Sequence, residues 1–386
     1  MIKELTIEKT GLPVGWELTA LGKVCEVIAG QSPESKFYNT NEEGLAFYQG
    51  KKEFTDKYIG QPTKWTTKIT KEAIKNDILM SVRAPVGPVN FSIQKCCIGR
   101  GLAAIRASEK IDKEYLYNFL VKFENEIEGN EGAVFNSINK SQIGAIPIPL
   151  PPLPQQKQIV AILDKTFAAI DTAKANAEQN LQNTKELFES YLQNVFENKG
   201  YDWEEKTLNQ ISENLDRQRV PITKKDRKEG KIPYYGASGI VDYVQDFLFD
   251  EDLLCISEDG ANLLARTYPI AFSISGKTWV NNHAHVLRFD NNTSQYFVEY
   301  YLNSIKLDDF VSGMAQPKLN QTKLNTIPIP FPTSIKEQKK VVQKLDALSA
   351  ECKKLEAIYI QKIADLEEMK KSVLQKAFSG QLNTIN

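Results

Sequence analysis

Apolar residues recur at alternating steps of four and three along two long stretches of the chain. In the first, Leu163, Phe167, Ile170, Lys174, Ala177, Leu181, Thr184, Phe188, Tyr191 and Val195 trace a heptad seam, broken by Lys174 and softened by Thr184. In the second, Leu345, Leu348, Cys352, Leu355, Tyr359, Ile363, Leu366, Met369 and Val373 keep the same rhythm with charges between them. Neither stretch contains Gly or Pro. Each therefore predicts one uninterrupted helix of about 40 residues, about 60 Å long at 1.5 Å per residue. Pro154 stands just ahead of the first helix, where its missing N–H is harmless.

A proline string precedes each helix: "IPIPLPPLP" at Ile146–Pro154 and "IPIPFP" from Ile327. Proline fixes φ and removes a backbone donor, so neither string suits a helix or a central strand. Ile146, Ile148 and Leu150 share one face at period two, which fits an edge segment packed on a domain. The competing reading is a polyproline ligand for an aromatic groove. The second string lacks the PxxPxxP spacing yet keeps the same position, which favours a stiff joint.

The strings belong to a tandem repeat. "SINKSQIGAIPIP" (Ser137 to Pro149) lies over "KLNQTKLNTIPIP" (Lys318 to Pro330) at one constant offset. After the prolines the offset grows by a single residue. It then holds from "QQKQIVAILD" over "EQKKVVQKLD" to "YLQNVF" over "VLQKAF". A weaker match joins "WELTALGKVCE" from Trp16 to "WEEKTLNQISE" from Trp203; between these ends the copies share little. The order is thus variable block, helix, variable block, helix. Two amphipathic helices packed separately on their own domains would tolerate insertions. Equal lengths without any indel instead predict two helices that zip together, antiparallel because a whole block separates them.

This doubled pattern resembles the specificity (S) subunit of type I restriction-modification systems. The resemblance rests on the two IPIP–helix modules, the terminal "LQKAFSGQL", and "IPYYGASGIVDYV", "SEDGANLL" and "WVNNHAHVLR" in the second block. "NDILMSVRAPVG" and "GRGLAAIR" carry it less distinctly in the first. It implies a mixed α+β fold: two α/β target recognition domains with β-rich reading parts, separated by two long helices pairing as an antiparallel coiled coil. The expected boundaries are 1–153, 154–198, 199–335 and 336–386. It further implies a subunit without catalytic activity, each domain reading one half of a split double-stranded DNA target. The helices would set the gap and dock two methyltransferase subunits, and a restriction subunit can join them. The docking seam would include Leu163, Phe167, Ile170, Leu181, Phe188, Leu345, Leu355, Tyr359, Ile363 and Leu366. No cofactor is expected in this chain, S-adenosylmethionine being expected in the methyltransferase partner.

The residues are consistent with that implication. No [DN]-P-P-[FYW] tetrapeptide and no Gly-rich nucleotide loop occurs. Glu-x-Lys at Glu34–Lys36 and Glu204–Lys206 follows no Pro-Asp element, which leaves a nuclease reading weak. Lys51, Lys52 and Lys57 are interleaved with aromatics in the first block. Arg217, Arg219, Lys224, Lys225, Arg227 and Lys228 lead into Tyr235 in the second. Such runs neutralise phosphates and give salt-sensitive, sequence-blind affinity, although lysine runs are also ordinary solvated surface. Candidate base readers sit at Gly- and Pro-rich turns: Arg83, Arg100, Ser238, Asn262, Asn281, Asn282 and His283, with Lys277 close by. Asn at such places can equally serve turn geometry. Glu258 and Asp259 would be repelled by phosphate unless one accepts from a cytosine amino group or orients an arginine.

Composition adds limits. The net charge of −1 confines any DNA contact to local patches. The five cysteines lack CxxC spacing and are expected as reduced thiols, and His283 and His285 alternate along a probable strand without enough companions for zinc. The chain has no long apolar run, and its N-terminal stretch lacks a signal-peptide core, so no membrane association and a cytoplasmic location are expected. The alternatives are a coiled-coil adaptor with proline-rich docking strings and no DNA affinity, or a self-sufficient nuclease or methyltransferase.

Overall fold

A computed structural model describes residues 12–129, 137–313 and 316–382, and the chain folds as two compact units. One comprises the chain up to Ala177 together with the chain from Gln361 onward; the other is Glu178–Ile360. The two predicted helices are present as Leu153–Glu197 and Ile335–Phe378. The units cut each helix near its middle, because the two halves of a helix bury their apolar faces in different cores. Among the described residues no helix is long and apolar enough to cross a membrane. The N-terminal stretch read for a signal peptide lies largely outside the described residues.

In the first unit a four-stranded antiparallel sheet runs in the order Cys25–Ala29, Leu102–Ala107, Ile78–Ser81, Val89–Phe91. Alternate side chains point to opposite faces, and here both faces are covered. Ile78, Met80 and Ile105 meet Leu116, Phe119 and Leu120 of the helix Lys113–Gly129, while Leu79, Leu102 and Ala104 meet the second sheet. That second sheet is five-stranded, and in it Leu45–Tyr48 runs parallel to Cys96–Ile98.

The second unit repeats the plan. Glu213–Asn214, Ala284–Arg288, Leu253–Ser257 and Ala271–Ile274 form the antiparallel sheet. Its neighbour sheet carries a parallel pair at the same place, Glu229–Gly236 beside Lys277–Val280. Asn292–Ser304 is the covering helix. Two blocks with little common sequence thus share one topology. They even share an arginine clamp. Arg106 holds Asp77 through two hydrogen bonds of 3.0 and 2.8 Å and Glu26 at 3.0 Å; Arg288 holds Glu251 at 2.6 and 2.7 Å and Glu213 at 2.8 Å.

The proline strings are edge strands. Pro147–Leu150 pairs antiparallel with Glu17–Ala20, and Ile329–Pro332 with Trp203–Lys206, so the weak Trp16/Trp203 match marks the partner strand of each joint. Ile146, Ile148, Ile327 and Ile329 are buried in the cores, so the alternating isoleucines of each string pack on their own domain. Asn139 and Asn320 cap the short helices just before the strings, accepting from Gln142 N and Lys323 N. Behind each string a glutamine is almost fully buried. Gln156 donates to the Pro151 and Lys110 carbonyls and accepts from Asp112 N; Gln338 donates to the Pro332 carbonyl and accepts from Ser294 Oγ.

The long helices pair antiparallel. In the first unit Lys174 bonds Glu367 at 2.6 Å and Lys370 bonds Asp171 at 3.0 Å, one rising while the other falls. In the second unit Phe188, Leu192 and Phe196 share a core with Val341, Val342 and Leu345. Leu163, Ile170 and Leu345 are buried; Phe167, Leu181, Phe188, Tyr359, Ile363 and Leu366 are half-buried. Three details differ from the sequence reading. The first helix begins at Leu153, placing Pro154 inside its first turn, where an N–H has no intrahelical acceptor anyway. Beyond Phe188 the buried positions are Leu192 and Phe196 rather than Tyr191 and Val195, because the true period of 3.6 drifts off a strict heptad. Leu355 is 38% exposed, for which the packing offers no reason. The apolar end of each helix is closed by aromatics. Phe196 meets Trp203, Phe297 and Tyr301, and Phe378 meets Tyr115 and Phe119.

Candidate nucleic-acid interface

At one end of the antiparallel sheet, each domain brings the same two loops together. In the first, Val82 N donates to the Gly101 carbonyl at 3.0 Å and Ile138 N to the Val82 carbonyl at 3.0 Å, and Arg83 bridges to Ser137. In the second, Glu258 N donates to the His283 carbonyl at 2.9 Å and Leu319 N to the Glu258 carbonyl at 2.8 Å, and Asp259 bridges to Lys318. The loop after the central strand and the loop before its neighbour are therefore equivalent pairs: "VRAP" with "GRG", and "EDGAN" with "NNH". Most base-reading candidates from sequence lie on these four segments.

In the first domain the loops are held by local hydrogen bonds and are basic at the surface. Ser81 Oγ donates to the Arg83 and Pro85 carbonyls. Arg83 and Arg100 are exposed, and among the described residues no carboxylate pairs with either. Arg100 sits between two glycines in crowded surroundings. A Cβ on Gly101 would stand 2.2 Å from the Gln49 carbonyl oxygen, and one on Gly99 2.9 Å from Ser32 Oγ. Lys51 and Lys52 are exposed; Lys57 is paired with Glu114 at 3.0 Å.

In the second domain a buried polar network supports the loops. His285, 1% exposed, has Nδ1 at 2.6 Å from Asp216 and Nε2 at 2.8 Å from the Leu319 carbonyl. Arg219 donates to Glu258 at 2.8 Å and to the Ala284 carbonyl, and Lys318 reaches Glu258 at 3.2 Å. Burial alone would raise both carboxyls. At Asp216 the His285 bond and charge, the Val286 N–H and the Arg219 charge together outweigh it, and at Glu258 the Arg219 bond and charge, the His285 charge and the Lys318 bond do, so both stay below the usual carboxylate range. Asp216, Glu258 and His285 have donor atoms within 4.8 Å of one another. Arg219 and Lys318, bonded into the same group, already supply the compensating charge. Sequence reading paired His285 with no carboxylate because Asp216 and Glu258 are far from it along the chain. Glu258 orients an arginine, one of the two roles the sequence left open. Asp259 bonds His283 Nδ1 at 2.8 Å.

The remaining candidates divide by what they already hold. Asn262 is buried, its Oδ1 accepting from Thr267 N and Tyr268 N and its Nδ2 donating to the Tyr268 carbonyl, the turn-satisfying role. Asn281, also buried, accepts from His283 N. Arg227 bonds Asp242 at 2.9 Å and lies over the Tyr234 ring. Tyr235 packs on Phe272. Arg217, Lys224, Lys225, Lys228 and Lys277 are exposed and form no ion pair with a carboxylate among the described residues, and Ser238 and Asn282 are exposed at loop tips. All five cysteines are buried free thiols; burial pushes Cys25 to about 12 and Cys96 to about 11.

Comparison with known proteins agrees with this geometry. A family model described as the type I restriction modification DNA specificity domain matches twice, over residues 13–183 and 201–365. The MjaX type I restriction enzyme specificity subunit of Methanocaldococcus jannaschii is 41% identical over 185 residues, 47% of this chain and 43% of that protein. The S.HindORF215P specificity subunit of Haemophilus influenzae is 34% identical over 42% of this chain and 40% of its own length. The chain thus spans less than half the length of these two relatives. The MjaVIII specificity subunit of the same archaeon is 25% identical, with 97% of this chain and 95% of that protein aligned. In fold, a chain from a structure of type I R-M complex assembly and conformational transition superposes with a TM-score of 0.78 at 18% identity, covering 96% of this chain and 99% of that one. HsdS from Thermoanaerobacter tengcongensis gives 0.63, over 96% of this chain and 98% of its own. With two matched copies of the domain spanning most of its length, the chain belongs to the type I restriction-modification DNA specificity family.

Proposed function

We propose that this chain is the DNA sequence-specificity subunit of a type I restriction-modification complex, each domain reading one half of a split double-stranded target. The observation that carries the reading is the doubling of one fold whose equivalent loop pairs present different side chains. Arg217, Lys224, Lys225, Lys228 and Lys277 in one domain, with Lys51 and Lys52 in the other, supply phosphate contacts. The chain performs no chemistry itself. Two methyltransferase subunits, which bind S-adenosylmethionine, dock on the helices, and a restriction subunit can join them. The test is selection from a randomised duplex library by the chain bound to its methyltransferase. A split motif with two unrelated halves is expected; enrichment of no motif overturns the reading.

A further inference from the structure

The equivalence of the two loop pairs allows the halves of the target to be told apart. The chain has eight arginines. Arg106, Arg219, Arg227 and Arg288 are held by carboxylates, and Arg266 by the Leu302 and Ile305 carbonyls. Of the three that remain, Arg83 and Arg100 lie on the two loops of the first domain, flanking the Val82–Gly101 hydrogen bond. Their backbones are fixed by Ser81 Oγ and by the glycine contacts at Gly99 and Gly101. A side chain whose backbone is held by such contacts loses less freedom when it binds, which suits a specificity contact.

At the equivalent places the second domain has Asp259 and Asn282. Its nearest arginine, Arg219, is turned beneath the loops and bonded to Glu258 and Ala284. Asp259 is bonded by the Nδ1 of His283, whose ring is itself half-exposed, and the Asn282 amide is exposed beside it. Arginine matches the paired acceptors of guanine, and an asparagine amide matches the donor and acceptor of adenine.

On the reading that each domain takes one half-target, the geometry points to an unequal code: Arg83 and Arg100 read guanine in one half, and Asn282 reads adenine in the other. The test uses the full chain with its methyltransferase and a duplex library randomised over both halves, comparing wild type with Arg83→Ala, Arg100→Ala and Asn282→Ala. All three residues are exposed, so unchanged melting temperatures verify folding. Each arginine variant should lose roughly 5- to 150-fold of the preference for a G·C pair in one and the same half. Asn282→Ala should relax an A·T pair in the other half by a similar factor and leave the first untouched. The inference is overturned if the half altered by the arginine variants holds no G·C preference. It is also overturned if the variants weaken every library member equally, the mark of phosphate contacts, or alter both halves. Failure of the underlying reading shows separately, as a wild-type complex that enriches no split motif.

Discussion

Replacing Phe378 by alanine removes the ring that closes the first unit. The side chain is 2% exposed, with its centroid 5.0 Å from the Tyr115 ring and 5.5 Å from the Phe119 ring. Both partners lie more than 250 positions earlier in the chain, so these ring contacts tie the helix end to a distant part of the unit. Truncating a buried phenylalanine costs about 3–5 kcal/mol, the lost transfer energy plus that of the cavity. In a unit of this size each kcal/mol moves the midpoint by about 2–4 °C, so the transition should fall by roughly 6–20 °C. The second unit keeps its own closure at Phe196, against Trp203, Phe297 and Tyr301. Calorimetry should therefore show the first unit melting ahead of the second. Hydrogen exchange should show amides of 113–129 and 361–378 losing protection while those of Asn292–Ser304 keep theirs. A shift of less than about 2 °C, or equal loss in both units, would refute the reasoning.

Three further predictions follow from the joints, the buried network and the basic surface. Gln156→Leu strands Asp112 N and the Lys110 and Pro151 carbonyls, and should cost about 1–3 kcal/mol in urea unfolding of the first unit. Gln338→Leu should do the same in the second, and the double variant should show the sum. Asp216 and Glu258 are held below their ordinary values of 3.8 and 4.5. Their contribution is complete above about pH 4.5 and is lost as pH falls through the lowered values. The urea midpoint of the second unit should therefore drop as pH falls below about 4.5 and through the lowered values, and Asp216→Asn should start lower and flatten that slope. Replacing Arg217, Lys224 and Lys225 by alanine should reduce the dependence of log affinity on log salt by about 0.9 for each phosphate contact removed. Base preference should stay as in wild type.

What was legible in the sequence is what repeats or has a period. The heptad rhythm located both helices, and the constant offset located both joints, because edge strands and paired helices impose spacing on every residue they use. The joint could be read as a packed edge segment because Ile146 and Ile148 alternate with prolines that need no donor. The contact residues of the two variable blocks were legible only as candidates. Asn262 and Arg100 look alike in sequence, each at a glycine-rich turn. Which of them is spent on its own loop depends on Tyr268 folding back onto Asn262, and on Gln49 and Ser32 crowding the glycines beside Arg100. The same holds for Arg219, which sits in a basic run yet is claimed by Glu258, 39 positions away. Long-range pairing leaves no local pattern.

The central claim is tested most directly by co-expressing the chain with its methyltransferase and mapping modified adenines across the host genome. The account predicts one split motif, two dissimilar halves around a fixed gap. A continuous palindrome, or modification that does not depend on this chain, would contradict it.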